Sequence, residues 1–153
     1  MSKLNARISQ EVFPPPVGKS TFSQLFNLHG IEVQGRPFKI NYARYTRLEF
    51  EGRLVWIVAR DINSELPIGY SCSFWYYDLH YYDEKVASDD IWFVDKEWRN
   101  RGIGTWLKHA AHTELKRHGV KRVSDVIRGV FDHPNLMRDL GFVNSGVKWV
   151  KTL

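Results

Sequence analysis

Ile91-Trp92-Phe93-Val94-Asp95-Lys96-Glu97-Trp98-Arg99-Asn100-Arg101-Gly102-Ile103-Gly104-Thr105-Trp106-Leu107 is the stretch on which the reading of this chain turns. It opens as four apolar residues with the β-rich composition of a buried strand. It then becomes polar, passes two glycines, and continues with Trp106, Leu107, Ala110, Ala111 and Leu115 at helical spacing. A strand thus feeds a glycine turn, and the turn feeds a helix N-terminus. The first N–H groups of a helix lack partners within it, and the macrodipole adds positive potential there, so this geometry predicts an anion site. Gly102 and Gly104 are expected to let a phosphate approach the backbone amides, with Arg99 and Arg101 adding charge at the rim.

Two common nucleotide cradles do not fit. A G-x-G-x-x-G fingerprint would need glycine at position 107, which is Leu107. Gly18-Lys19-Ser20 ends like a Walker A loop, but the first glycine would fall on Phe13, and Pro14-Pro15-Pro16 fills the loop.

What remains resembles the GCN5-related N-acetyltransferases (GNAT). Arg99-Asn100-Arg101-Gly102-Ile103-Gly104 fits that family's R/Q-x-x-G-x-G/A segment, which holds the coenzyme A pyrophosphate. Val94-Asp95 looks like the family's strand-ending V-D-P with Lys96 in place of proline, and Met137-Arg138-Asp139-Leu140-Gly141-Phe142 resembles its Y-E-K-L-G-F. Val58-Ala59-Arg60-Asp61, Gly69-Tyr70 and Leu79-His80-Tyr81 resemble a branch of the superfamily met in tailed-phage genomes. The resemblance spans roughly Asn41 to Leu153. It implies an α/β (α+β) fold, a bent, mixed and mostly antiparallel sheet flanked by helices. It also implies acetyl transfer from acetyl-CoA to an amine by direct attack, with no metal.

Length and composition are compatible with that fold. A chain of 153 residues suits one domain with a sizeable core, and 43% hydrophobic with 25% charged residues is ordinary globular composition. No run reaches the roughly 20 apolar residues of a membrane span, and no apolar signal core opens the chain. The lone Cys72 excludes an internal disulfide and fits a reducing compartment, so the expected location is the cytoplasm, of a host cell or else in a virion if the chain is phage-encoded. The net charge of +5 suits the phosphates of coenzyme A, whereas the scattered basic residues, with no block of like charge, argue against a nucleic-acid partner.

Along the chain, residues 1–19 are expected to form a flexible, proline-containing arm able to dock on an assembly partner, and residues 20–153 a single acetyltransferase-like domain. Ser20 or Thr21 would cap a short helix carrying Phe22, Leu25 and Phe26 and stopping at Gly30, followed by a second helix over Asn41–Glu49. Strands are expected over Arg53–Arg60, Gly69–Tyr77 and Asp89–Val94, then the Gly102–His118 helix and a strand over Val120–Ile127. Asp132-His133-Pro134 would open a last short helix ending at Gly141, and Phe142–Val150 would supply one or two closing strands.

Acetyl transfer needs a positioned thioester, a deprotonated amine and a donor for the carbonyl oxygen. The resemblance assigns coenzyme A contacts to Phe93, Val94, Arg99, Asn100, Arg101, Gly102, Ile103, Gly104, Thr105 and Met137, with Phe93 and Val94 offering backbone groups near the thioester. Asp89 and Asp90 stand where family bases often occur, and strand alternation allows only one of them to face the cleft. Asp90 is the first candidate base, and His80 is the second, since its ordinary pKa of about 6.5 suits proton transfer near neutrality. The family's usual tyrosine acid falls at Met137, which cannot donate, leaving Tyr81, Tyr82 or water for that role. The amine acceptor, whether small molecule or protein, is open. The alternative is an acetyltransferase fold retained as a binding or assembly module. His109, His112 and His118 read as surface histidines, and Cys72 as a small hydrophobe in a strand.

Overall fold

The computed structural model describes residues 5–14, 22–126, 134–146 and 150–153. In chain order these residues form β1 (Ala6–Gln10), α1 (Phe22–Gln34), α2 (Tyr42–Phe50), β2 (Leu54–Asp61), β3 (Pro67–Tyr77), β4 (Lys85–Val94), α3 (Ile103–Arg117), β5 (Val120–Ser124) and α4 (Pro134–Asp139), with a short 3-10 turn over Lys96–Trp98. The five strands lie in sequence order in one sheet. β1 through β4 pair antiparallel, and β4 pairs with β5 in parallel through the α3 crossover. The expected mixed, mostly antiparallel sheet with flanking helices is therefore present. Among the described residues no helix is long and apolar enough to cross a membrane.

Both faces of the sheet are covered, which accounts for the nearly unbroken apolar run Leu54–Ala59. Trp56 and Val58 point to α1 and join Phe22, Leu25, Phe26, Tyr70 and Phe93. Val55, Ile57 and Ala59 point the other way, against Ile103, Leu107, Ala111 and Leu115 of α3. That α3 stripe recurs every three or four residues, so burying it needs only the helix spacing already visible in the chain.

The N-terminal segment departs from the expected flexible arm over its described part. Ala6–Gln10 forms an edge strand in register with β2, from Ala6 opposite Asp61 to Gln10 opposite Ile57. Just beyond it Phe13 is buried, stacked on Tyr45 at 4.6 Å and edge-on to Trp56 at 5.1 Å. Glu11 accepts two hydrogen bonds, each 2.7 Å, from the Arg60 guanidinium. Polyproline composition masked these long-range partners, which lie 49 residues away in the case of Arg60.

Other boundaries shift for identifiable reasons. Gly30 does not stop α1. It lies inside the helix, where a Cβ would come within 2.5 Å of Phe38 N and 2.6 Å of Arg36 O, so glycine admits the returning chain. The helix ends before Gly35, whose φ of +72° is the left-handed conformation that favours glycine. Asn41 caps α2, its Oδ1 accepting from Arg44 N at 3.1 Å. β4 begins at Lys85, four residues before the expected start, because Lys85–Ser88 already pair with β5. Residues 142–146 and 150 are irregular rather than strand. The remainder of that expected closing segment, the Ser20/Thr21 cap and Asp132-His133 lie outside the described residues.

If Phe13 belongs to the core, Phe13→Ala should lower stability by about 3–5 kcal/mol. Urea unfolding measures it, and a loss under about 0.5 kcal/mol would return the segment to the status of a surface tail.

Candidate active site

The β3–β4 register pairs Cys72 with Ile91 but Ser73 with Asp89, so Asp90 is the extra residue of a bulge. Strand alternation sends the two adjacent carboxylates to opposite faces, and the bulge breaks alternation just after them, so that Asp90 and Ile91 lie on the same side of the sheet. Asp89 turns toward α3, whereas Asp90 turns toward α2. One residue earlier, the parallel ladder to β5 ends at Ser88 opposite Ser124. Among the described residues, β4 has no strand on that side from Asp89 to Val94. A cleft of about 1210 Å³ opens there, walled by Asp89–Val94, the α2 face carrying Arg44, Tyr45 and Leu48, the first turn of α3, and Leu136 and Met137 of α4.

Below the fork lies a buried ion cluster. Lys108 Nζ sits 2.8 Å from Asp89 Oδ2 and 2.8 Å from Asp125 Oδ2, and the lysine side chain is only 1% exposed. Asp89 also accepts from Ser73 Oγ and lies 3.1 Å from His112 Nε2. Burial pushes the Asp89 carboxyl upward, but the His112 hydrogen bond, the Lys108 ammonium and Ser73 outweigh it and bring its pKa down to about 2. His112 is thus not the surface histidine expected; its ring also meets Phe142 edge-on at 5.4 Å. Lys108 is easily missed in the sequence, since a lysine in an amphipathic helix ordinarily faces water. A signal was available: Gly104, Lys108 and His112 form an i, i+4 stripe beside the apolar Leu107, Ala111 and Leu115.

Asp90 has a different environment. It accepts a hydrogen bond from the Tyr45 phenol and, among the described residues, has no cationic partner. Burial, followed by the negative charge nearby, pushes the Tyr45 phenol far above its ordinary range, so it stays protonated and donates. His80, Tyr81 and Tyr82 are not brought to this cleft. They lie on the exposed turn between β3 and β4, where Asp78 Oδ1 accepts from the backbone N–H of His80 and Tyr81, and the His80 side chain is 88% exposed. Cys72 is fully buried, and desolvation raises its thiol well above the ordinary value, against a nucleophilic role.

At the glycine turn, Asn100 and Gly102 both adopt positive φ, +60° and +78°. The first intrahelical bond of α3 runs from Trp106 N to Gly102 O, which leaves the N–H groups of Ile103, Gly104 and Thr105 without helical acceptors. No side chain caps this end, and a Cβ at Gly102 would meet the Trp106 ring at an ordinary contact distance of 3.7 Å. The model of the acetyltransferase (GNAT) family matches residues 22–142. This chain belongs to the GNAT family.

Solved structures share the fold at low sequence identity. A transcriptional regulator from Bacillus halodurans C-125 superposes with a TM-score of 0.76 at 18% identity, covering 97% of this chain and 99% of the other. An aminoglycoside acetyltransferase from an uncultured soil metagenomic sample, in complex with sisomicin, gives 0.73 at 18% identity, covering 97% of each. AAC(6')-Iy in complex with the bisubstrate analog CoA-S-monomethyl-acetylneamine gives 0.67 at 16% identity, covering 97% and 98%. Comparison with curated protein sequences found no match.

Within this GNAT fold, the residues expected at the coenzyme divide by what they touch. Phe93, Val94, Arg99, Asn100, Gly102, Ile103, Gly104, Thr105 and Met137 all line the cleft, and Arg101 does not. Arg99 is not a free rim charge. Its Nε donates to Val94 O at 2.9 Å, and its two Nη atoms grip Glu32 at 2.6 and 2.7 Å, pinning the turn to β4 and α1. Arg101 donates to Glu97 O and lies over Trp98. Gly104 makes room for Trp92, whose ring would be 2.9 Å from a Cβ, so its glycine serves packing. The cradle is consequently made by backbone: α3 amides at one end and the open β4 edge at the other. That arrangement fits an extended thiol arm ending in phosphates.

Replacing the cation of the buried cluster, as in Lys108→Met, should cost about 3–5 kcal/mol by stranding Asp89 and Asp125. The Asp89 pKa is depressed on folding, so its contribution of about 2 kcal/mol is complete above the ordinary carboxylate pKa and lost as pH falls through the folded value. Urea unfolding between about pH 5 and pH 2 should therefore steepen in wild type and flatten in Asp89→Asn.

Proposed function

We propose that this chain is an acetyl-CoA-dependent N-acetyltransferase in which Asp90 accepts the proton of the attacking amine. The observation that carries the reading is the placement of Asp90 where β4 and β5 part: among the described residues its carboxylate has no cationic partner. An unpaired carboxylate retains the lone pairs a base needs, whereas Asp89, committed to Lys108, His112 and Ser73, does not. The Tyr45 phenol orients Asp90 from α2.

Acetyl-CoA supplies the activated acetyl group as a thioester. The α3 amides from Ile103 to Thr105 would hold its pyrophosphate, and the unpaired β4 edge around Phe93 and Val94 would hold its amide-bearing arm and present an N–H toward the carbonyl oxygen. Met137 lines the cleft with a thioether, so α4 offers no phenol there as proton donor. That substitution supports a second reading, a binding module of acetyltransferase fold without turnover. Kinship with the phage-type branch rests on the matching residues of β2, β3 and the β3–β4 turn.

Isothermal titration should show wild type binding acetyl-CoA in the micromolar range. Gly102→Asp, which puts a carboxylate at the positive end of α3, should weaken binding at least tenfold. No binding up to millimolar ligand would end the coenzyme assignment.

In thiol-release assays across a panel of amines, Asp90→Asn should lower kcat by about 10²–10⁴-fold with acetyl-CoA affinity unchanged. Tyr45→Phe should lower kcat by about tenfold and shift the acidic limb of the pH–rate profile. Unchanged kcat in Asp90→Asn would exclude Asp90 as the base, and turnover by wild type would exclude the silent module.

A further inference from the structure

Charge compensation inside the cleft is uneven. Of the acidic residues lining it, Glu32 is neutralised by Arg99, and Asp89 and Asp125 share Lys108, which among the described residues leaves only Asp90 without a cation. Arg36, Lys39 and Arg44 line the same cleft, and among the described residues none of them has a carboxylate within ion-pair distance. All three are exposed, so nothing in the fold buries or occupies their charge. Among the described residues the cleft therefore presents three uncompensated cations and a single uncompensated anion.

Arg44 shares a wall with the proposed base. Asn41, Arg44, Tyr45 and Leu48 fall at i, i+3, i+4 and i+7, one face of α2, and line the cleft together. Tyr45 on that face bonds Asp90, so an amine brought to Asp90 lies beside Arg44. Arg36 and Lys39 continue the wall along the connection from α1. The glycine turn has its own amides, and its arginine is already held by Glu32.

Resting on the transferase reading, we infer that the acceptor is a small amine that also carries an anionic group, a phosphate or a carboxylate, bound by Arg44, Lys39 and Arg36 while its amine meets Asp90. Guanidinium and ammonium groups are the usual partners of such anions, and like charges at the same wall disfavour polycationic amines.

The test uses the full chain with acetyl-CoA or coenzyme A present and matched acceptors: phosphoethanolamine against ethanolamine, and 4-aminobutyrate against butylamine, with spermidine as a polycation. Calorimetry should give at least tenfold tighter binding for the anionic member of one pair, and which pair responds tells phosphate from carboxylate. The preference should shrink as ionic strength rises. In Lys39→Gln/Arg44→Gln it should fall to within twofold, and in turnover the change should appear in KM rather than kcat. Acetyl-CoA affinity should stay within twofold in that variant. Equal binding of both members in both pairs, tighter binding of spermidine, or a preference retained in the variant would each overturn the proposal. So would a tenfold loss of acetyl-CoA affinity, which would assign these cations to the coenzyme. Anionic preference in binding without thiol release would uphold the ligand class and overturn only the transfer reading.

Discussion

One ammonium group at the fork of the sheet constrains much of what surrounds it. Lys108 reaches from α3 to Asp89 on β4 and to Asp125 just past the end of β5, touching both strands where they separate. Taking an ammonium and a carboxylate out of water is costly, and only close geometry with every lone pair occupied offsets it. Ser73 and His112 supply the remaining bonds to Asp89. Because the cluster is satisfied only when β3, β4, α3 and the end of β5 are all in register, it specifies that register as much as it stabilises it. The consequence is a cleft whose apex is fixed by charge.

Strand alternation beside that apex divides the labour between two neighbouring aspartates. Without Asp90 as an extra residue, strand alternation would continue, and Ile91 would face α3 instead of the aromatic cluster under α1. Alternation itself locks one carboxylate into the interior and offers the next to the cleft on a neutral phenol. Side chains of the same type and adjacent number thus acquire different proton affinities and different uses through packing alone.

The aromatic cluster on the α1 side connects the edge of the sheet to that cleft. Phe13, from the segment following β1, stacks on Tyr45, and Tyr45 in turn holds Asp90. The N-terminal strand therefore buttresses the α2 wall, so the position of the proposed base depends on a segment whose composition reads as a loose arm.

What the chain determined by itself is local. The apolar run Ile91–Val94, the positive-φ glycine at 102 and the period of Ile103, Leu107, Ala111 and Leu115 specify strand, turn and helix through torsional preference and spacing between near neighbours. Those neighbours suffice for the uncapped N-terminus of α3 and for the family resemblance. Tertiary structure decided the rest. Whether Arg99 faces a phosphate or Glu32, whether Lys108 and His112 face water or Asp89, and whether Gly104 accommodates Trp92 depend on partners brought together by sheet register and helix docking. The same holds for His80, Tyr81 and Tyr82, whose turn projects away from the cleft because β3 and β4 run on past it. The physical reason is that torsions and periodicity act over a few residues, whereas burial and charge pairing act between elements, here across 67 residues for Arg99 and Glu32.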